Sequence, residues 1–131
     1  MKNQDYLYLD HAASTPMRKS ALDKYIEAES YGFANSSGGH KLSRDSKNLL
    51  EDSREKISEL FNAAPGEIVF TSGGTEADNW TIKSLFDSKR PNENLVTSNI
   101  EHEAVLASAD WVSSNGHQTK FAKSDKNGLV N

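Results

Sequence analysis

Apolar and polar positions follow two successive textures along the chain. In the first half the apolar residues recur every three or four positions, the period of a helix with one buried face. Met17, Ala21, Leu22, Tyr25 and Ile26 form one such stripe. It opens at Thr15-Pro16, an N-cap followed by proline in the first turn, and runs to Tyr31, with Gly32 as its stop. Leu42, Ser46, Leu49, Leu50, Ser53, Ile57, Leu60 and Phe61 form a second, longer stripe that ends at the Ala64-Pro65-Gly66 breaker. The opposite face of this helix carries Lys47–Glu51 and Asp52–Lys56 pairs at i,i+4 spacing. Gly32 to His40 is rich in turn formers and reads as a loop, and Tyr6 to Leu9 is a short β-prone run.

Beyond Gly66 the pattern changes to short apolar runs separated by helical stripes. Glu67 to Ser72 predicts a strand, Thr75 to Phe86 a helix, Leu95 to Ser98 a strand, His102 to Asn115 a helix and Gln118 to Ala122 a strand. Trp80 and Trp111 are expected to pack helix against sheet. Strand-helix-strand-helix-strand with brief connections is the pattern of an α/β fold with parallel pairing, here preceded by two helices. Asp125-Lys126-Asn127-Gly128 is a turn, followed by only three more residues. A parallel sheet barely begun reads as part of something larger.

Composition narrows the function classes. The 131 residues carry a net charge of -4, with 15 Lys and Arg against 19 Asp and Glu. That balance leaves no electrostatic footprint for a nucleic-acid backbone. No apolar run approaches a membrane span and the N-terminus lacks a signal-type apolar stretch, so the expected location is the cytoplasm, with no membrane partner. There is no cysteine, which excludes a disulfide scaffold or a thiolate metal site. The mean hydropathy of -0.72 is low for a self-sufficient core of this size.

The most informative segment is Ser72-Gly73-Gly74-Thr75, where the expected strand gives way to a helix. Glycines permit close approach of a ligand to the backbone, and the unpaired N–H groups of a first helical turn favour an anion such as phosphate. A competing reading is that Thr75, in Thr75-Glu76-Ala77-Asp78, merely caps its own helix as a capping box. Neither a dinucleotide fingerprint nor a mononucleotide P-loop is present. His102 stands after the next strand and at the mouth of the next helix. In open α/β sheets ligands bind beyond the carboxyl ends of the strands, so Gly74, Thr75 and His102 would face one crevice if those strands are parallel. A histidine there can carry a proton or present a flat surface to a ring, or it can be an ordinary polar residue at a helix start. Leu106 occupies the position where a zinc-binding H-E-x-x-H motif needs its second histidine, so no metal is expected.

Taken together, these segments resemble the cysteine desulfurases, relatives of the class-V aminotransferases that use pyridoxal 5'-phosphate (PLP). Tyr8-Leu9-Asp10-His11-Ala12-Ala13-Ser14-Thr15-Pro16 is similar to their Y-L-D-x-A-A-T-T-P opening. Asn35-Ser36-Ser37-Gly38-Gly39-His40 is similar to N-P-S-S-x-H, and Arg44 and Arg54 match arginines of the helix that follows. Phe70 to Asn79 resembles F-T-S-G-G-T-E-x-D-N, and Glu101 to Leu106 resembles E-H-x-A-V-L. The resemblance covers essentially the whole chain. It implies a fold-type I enzyme, with residues 1–15 near the small domain or the active-site entrance and residues 16–131 the first portion of the large, PLP-binding domain and its mostly parallel sheet. It implies that Gly74 and Thr75 bind the PLP phosphate and that His102 stacks on the pyridine ring and takes part in proton transfer. The implied reaction converts L-cysteine to L-alanine, leaving sulfur on an enzyme cysteine for an acceptor protein in iron–sulfur cluster or thio-cofactor assembly. The full-length form is expected to be a homodimer.

Departures from the family pattern bear on the chemistry. Ser36 replaces a proline, Gly38 a serine, and Ser43 the glycine before Arg44, so the substrate-side loop is expected to be altered. The Schiff-base lysine belongs to an S-x-H-K segment downstream of E-H-x-A-V-L, and the sulfur-carrying cysteine follows later still. His40-Lys41 mimics the lysine motif but precedes the phosphate turn and already matches another segment. These 131 residues alone are therefore expected to be inactive. The alternatives are another class-V enzyme, such as a selenocysteine lyase or an aminotransferase, and a truncated non-catalytic chain that serves as a binding or dimerisation module.

Overall fold

The computed structural model describes residues 7–86 and 93–130. The chain divides into two units, Met1–Ile68 and Val69–Asn131. The first contains α1 (Lys19–Glu29), α2 (Lys41–Phe61) and a 3-10 turn at Pro65–Glu67. The second contains α3 (Gly74–Leu85), β1 (Asn94–Ser98), α4 (Glu103–Ser114) and β2 (Gln118–Ala122).

In the first unit, the β-prone run forms no strand at Leu7–Leu9, and Tyr6 lies outside the described residues. The Tyr8 hydroxyl instead donates to the Asp10 and Ser14 carbonyls, at 2.8 and 3.0 Å, and closes a small loop. The Thr15 hydroxyl, expected to cap the first helix, stands 3.2 Å from His11 Nδ1. Helix α1 accordingly starts later, at Lys19, with Arg18 as an N-cap that makes no side-chain bond. It ends at Glu29, with Ser30 as its C-cap, before the expected Tyr31. Gly32 is required there for a reason other than a left-handed stop: a Cβ on it would lie 2.7 Å from Leu49 Cδ2 and 2.9 Å from the Ala28 carbonyl oxygen. Glycine thus lets the end of α1 approach α2.

Helix α2 stops at Phe61, ahead of the Ala64-Pro65-Gly66 breaker, because Asn62 takes the left-handed conformation (φ 50°) and turns its amide to the Glu59 carbonyl. Asparagine tolerates that region better than most residues. The residues of α2 that become buried are Ser43, Ser46 and Ser58, whereas Leu42, Leu50, Leu60 and Phe61 of the expected apolar stripe stay exposed. Burying serines is tolerable because their hydroxyls find partners: Ser46 donates to the Leu42 carbonyl at 3.0 Å and Ser58 to that of Glu55 at 2.7 Å. Glu51 pairs with Arg54 at 3.1 Å. The Arg54 guanidinium also donates to the Ile68 carbonyl, tying the end of the unit back to α2.

In the second unit, β1 and β2 pair in parallel, with Asn94 opposite Gln118 and Ser98 opposite Ala122. Parallel strands need a crossover, and α4 supplies it. Helix α4 packs against both strands and along α3. Its inner face, Ala104, Ser108, Ala109 and Val112, is buried, and Phe86 completes the small core. The Ser108 hydroxyl donates to the Ala104 carbonyl at 2.8 Å, so its burial leaves no unmet donor. The strand expected at Glu67 to Ser72 is absent: Glu67 ends the 3-10 turn, and 68–72 are irregular and belong to neither β1 nor β2. Trp80 and Trp111 are also corrected. Both are exposed, and the Lys83 Nζ stands 5.5 Å from the centroid of the Trp111 ring. The expected turn at Asp125–Gly128 is present. The Asp125 carboxylate accepts from the amides of Leu129 (2.9 Å) and Asn127 (2.8 Å), which hold its pKa below the usual value in that order of weight, and Gly128 adopts φ 82°.

Candidate functional site

The phosphate-type turn is built by residues within five positions of one another. Gly73, in extended backbone, is the N-cap of α3 and supplies no side-chain cap. Thr75 is therefore the second residue inside the helix, and the capping-box reading of Thr75 does not hold. The first helical bond runs from the Ala77 amide to the Gly73 carbonyl at 3.1 Å, so the amides of Gly74, Thr75 and Glu76 precede the ladder and have no helical acceptor. Gly73, Gly74 and Thr75 are exposed, and a Cβ placed on either glycine would meet nothing within 4 Å. Open space thus lies against this stretch of backbone.

Two side chains fix the turn from the outside. Glu76 reaches back so that its Oε2 accepts from the Ser72 amide at 2.6 Å, and this backbone bond, followed by one with the Ser72 side chain, lowers the Glu76 pKa. The Thr71 hydroxyl donates to the Gly73 carbonyl at 3.2 Å. Sequence reading missed Glu76. The signal was a glycine N-cap with glutamate three residues on, whereas the search for a serine or threonine cap led to Thr75.

His102 is the N-cap of α4, and its Nδ1 accepts from the Ala104 amide at 3.1 Å. The approach to it is stiffened as well: Ser98, the last residue of β1, donates its hydroxyl to Glu101 Oε1 at 2.6 Å. Asn99, a second residue that sequence reading missed, joins the ends of the two strands. Its amide donates to the Ala122 carbonyl at 3.1 Å and its side-chain oxygen accepts from the Ser124 amide at 2.9 Å. An asparagine directly after a strand is the kind of residue that makes such local bonds.

The packing of α3 on α4 decides whether the turn and His102 belong together. Lys83, in the last turn of α3, places Nζ 5.5 Å from the ring centroid of Trp111, in the last turn of α4. Phe86, just past α3, meets His117, just past α4, edge to face at 5.2 Å. Corresponding ends touch, so the two helices run in the same direction. Their N-termini, Gly74 with Thr75 on one and His102 on the other, therefore lie at the same end of the unit. It is also the end at which β1 finishes, four residues before His102. This is the carboxyl edge of a parallel sheet, with two helix N-termini pointing at it.

Residues 7–131 match the family profile described as Aminotransferase class-V. Among curated relatives, the cysteine desulfurase IscS of Methanosarcina thermophila is 35% identical over 125 residues, which cover 95% of this chain and 31% of that protein. Cysteine desulfurase IscS of Dictyoglomus turgidum is likewise 35% identical over 125 residues, covering 95% of this chain and 32% of the relative. Among solved structures, that of SspA in complex with cysteine superposes with a TM-score of 0.82 at 36% identity, over 95% of this chain and 36% of the other. The chain thus spans about a third of the length of the proteins it matches.

Proposed function

The chain belongs to the aminotransferase class-V family, and from that premise we propose that it is the N-terminal part of a PLP-dependent cysteine desulfurase. In full-length form such an enzyme takes sulfur from L-cysteine, releases L-alanine and passes the sulfur to an acceptor protein for iron–sulfur cluster or thio-cofactor assembly, as a cytoplasmic homodimer. Residues 1–15 then lie toward the small domain or the site entrance, and 16–131 begin the large domain.

The supporting observation is the shared direction of α3 and α4, which puts an exposed backbone turn with amides free of helical acceptors and an exposed imidazole at the same end of the unit. The residues present fit PLP. The space against Gly73 and Gly74 is open, the donors at the turn suit a phosphate, and the Glu76 carboxylate is turned onto the Ser72 amide. Bound PLP supplies an electron sink next to the amino acid's α-carbon. The protein's part is to hold and orient. The amides of Gly74, Thr75 and Glu76, the Thr75 hydroxyl and the N-terminal dipole of α3 would hold the phosphate. His102, from α4, would stand on the pyridine side. Its position is set by the cap at Ala104 and by the Ser98–Glu101 bond beneath it.

Titration of the chain with 4'-deoxypyridoxine 5'-phosphate, which lacks the reactive aldehyde, tests the reading. Amide shifts concentrated at Gly74, Thr75 and Glu76, with His102 ring signals moving in parallel, support it. Saturating addition that leaves those amides unmoved overturns it.

A further inference from the structure

The Ala104 amide points its hydrogen at His102 Nδ1 from 3.1 Å. An amide can only donate, so Nδ1 must offer a lone pair, and in a neutral imidazole the ring hydrogen then resides on Nε2. The opposite tautomer would set two hydrogens against each other and leave the Ala104 amide unmet in a residue that is only 6% exposed. His40 shows the same arrangement at the start of α2. Its Nδ1 accepts from the Ser43 amide at 3.3 Å, but its Nε2 stands 3.0 Å from the fully buried Ser43 hydroxyl. Both capping histidines are thus of one tautomer. His40 directs its ring hydrogen inward, whereas His102 Nε2 meets no hydrogen-bond partner among the described residues.

We infer that the cap on Ala104 holds resting, neutral His102 in the Nε2–H form, so that it offers the site a hydrogen-bond donor and not a base. For Nε2 to accept a proton the ring must first let go of the Ala104 amide. Proton uptake at Nδ1, which yields the imidazolium, likewise breaks that bond. Proton traffic at His102 is therefore tied to release of the Ala104 amide from its cap, and Ala104 is a positioning residue through its backbone. The inference deepens the cofactor-site reading only in what Nε2 faces; the tautomer itself stands without it.

Two-bond proton–nitrogen correlation spectra of the nitrogen-15-labelled chain at about pH 8, above the ordinary histidine range, test it directly. The His102 ring, assigned by its loss in His102→Asn, is expected to show a protonated Nε2 and a bare Nδ1. The Ala104 amide is expected to exchange about tenfold more slowly than the Glu103 amide. Ala104→Pro removes the donor at a first-turn position and should convert the ring to a tautomer mixture; should that variant fail to fold, the exchange measurement on the parent decides. A protonated or averaged Nδ1 in the parent, or an Ala104 amide without protection, overturns the inference. An Nε2–H pattern in a chain that fails to bind the deoxypyridoxine phosphate would overturn the cofactor reading and leave the tautomer standing.

Discussion

A Cβ on Gly38 would stand 2.4 Å from the Ser43 hydroxyl oxygen and 3.1 Å from Ser43 Cβ, so the loop after α1 can close on α2 only because residue 38 has no side chain. Both positions depart from the family pattern, and in opposite senses. A glycine occupies the place of a serine, and a serine the place of a glycine. Set against the pattern this segment resembles, the contact amounts to an exchange of volume across the loop–helix junction, with the Ser43 hydroxyl buried against His40.

Gly38→Ser alone should therefore destabilise the chain by about 1–3 kcal/mol through overpacking. Ser43→Gly alone should cost about 1 kcal/mol through the weaker helix propensity of glycine. The double variant should recover part of the first loss, with a coupling of about 0.5–3 kcal/mol in urea unfolding. Simple additivity would count against the exchange.

Thr75→Val should weaken deoxypyridoxine phosphate binding roughly 10- to 100-fold, the worth of about 1.5–3 kcal/mol for a hydrogen bond to a charged group. Helix content by circular dichroism should not change, because the cap of α3 is Gly73 and not the Thr75 hydroxyl. A loss of helicity would return Thr75 to the capping role.

Glu76 has a pKa lowered from 4.5 by the Ser72 amide. Its ionised form is therefore favoured by folding, and the bond to Ser72 is fully present above the ordinary glutamate range and lost as the pH falls through the lowered value. The Ser72 amide signal should titrate there, below pH 4.5, and the titration should vanish in Glu76→Gln. A midpoint at or above 4.5 would mean that the carboxylate does not hold the turn.

Gly32→Ala should cost about 1–3 kcal/mol, since the added methyl meets both Leu49 Cδ2 at 2.7 Å and the Ala28 carbonyl oxygen at 2.9 Å, and the latter cannot move aside without shifting α1. Gly39→Ala, where a Cβ meets nothing within 4 Å, is the control and should stay within about 0.5 kcal/mol by thermal unfolding.

Incubated with PLP and L-cysteine, the 131 residues alone should yield neither sulfide nor alanine above a protein-free blank, since they contain no cysteine to receive the sulfur. Turnover would show that the reaction needs nothing beyond them.

Features that short-range bonding controls can be read from the amino-acid pattern alone. The glycine turn ahead of α3, the helix that opens at His102 and the Asp125–Gly128 turn were all legible, because each closes its hydrogen bonds within a few residues. Tertiary structure decided whatever needs a partner from elsewhere. Val69 and Phe70 look like a strand, yet they belong to neither β1 nor β2, the two strands of the described sheet, and a strand exists only as part of a ladder. The common direction of α3 and α4 depends on contacts between residues far apart in the chain, Lys83 with Trp111 and Phe86 with His117, which a linear pattern does not encode.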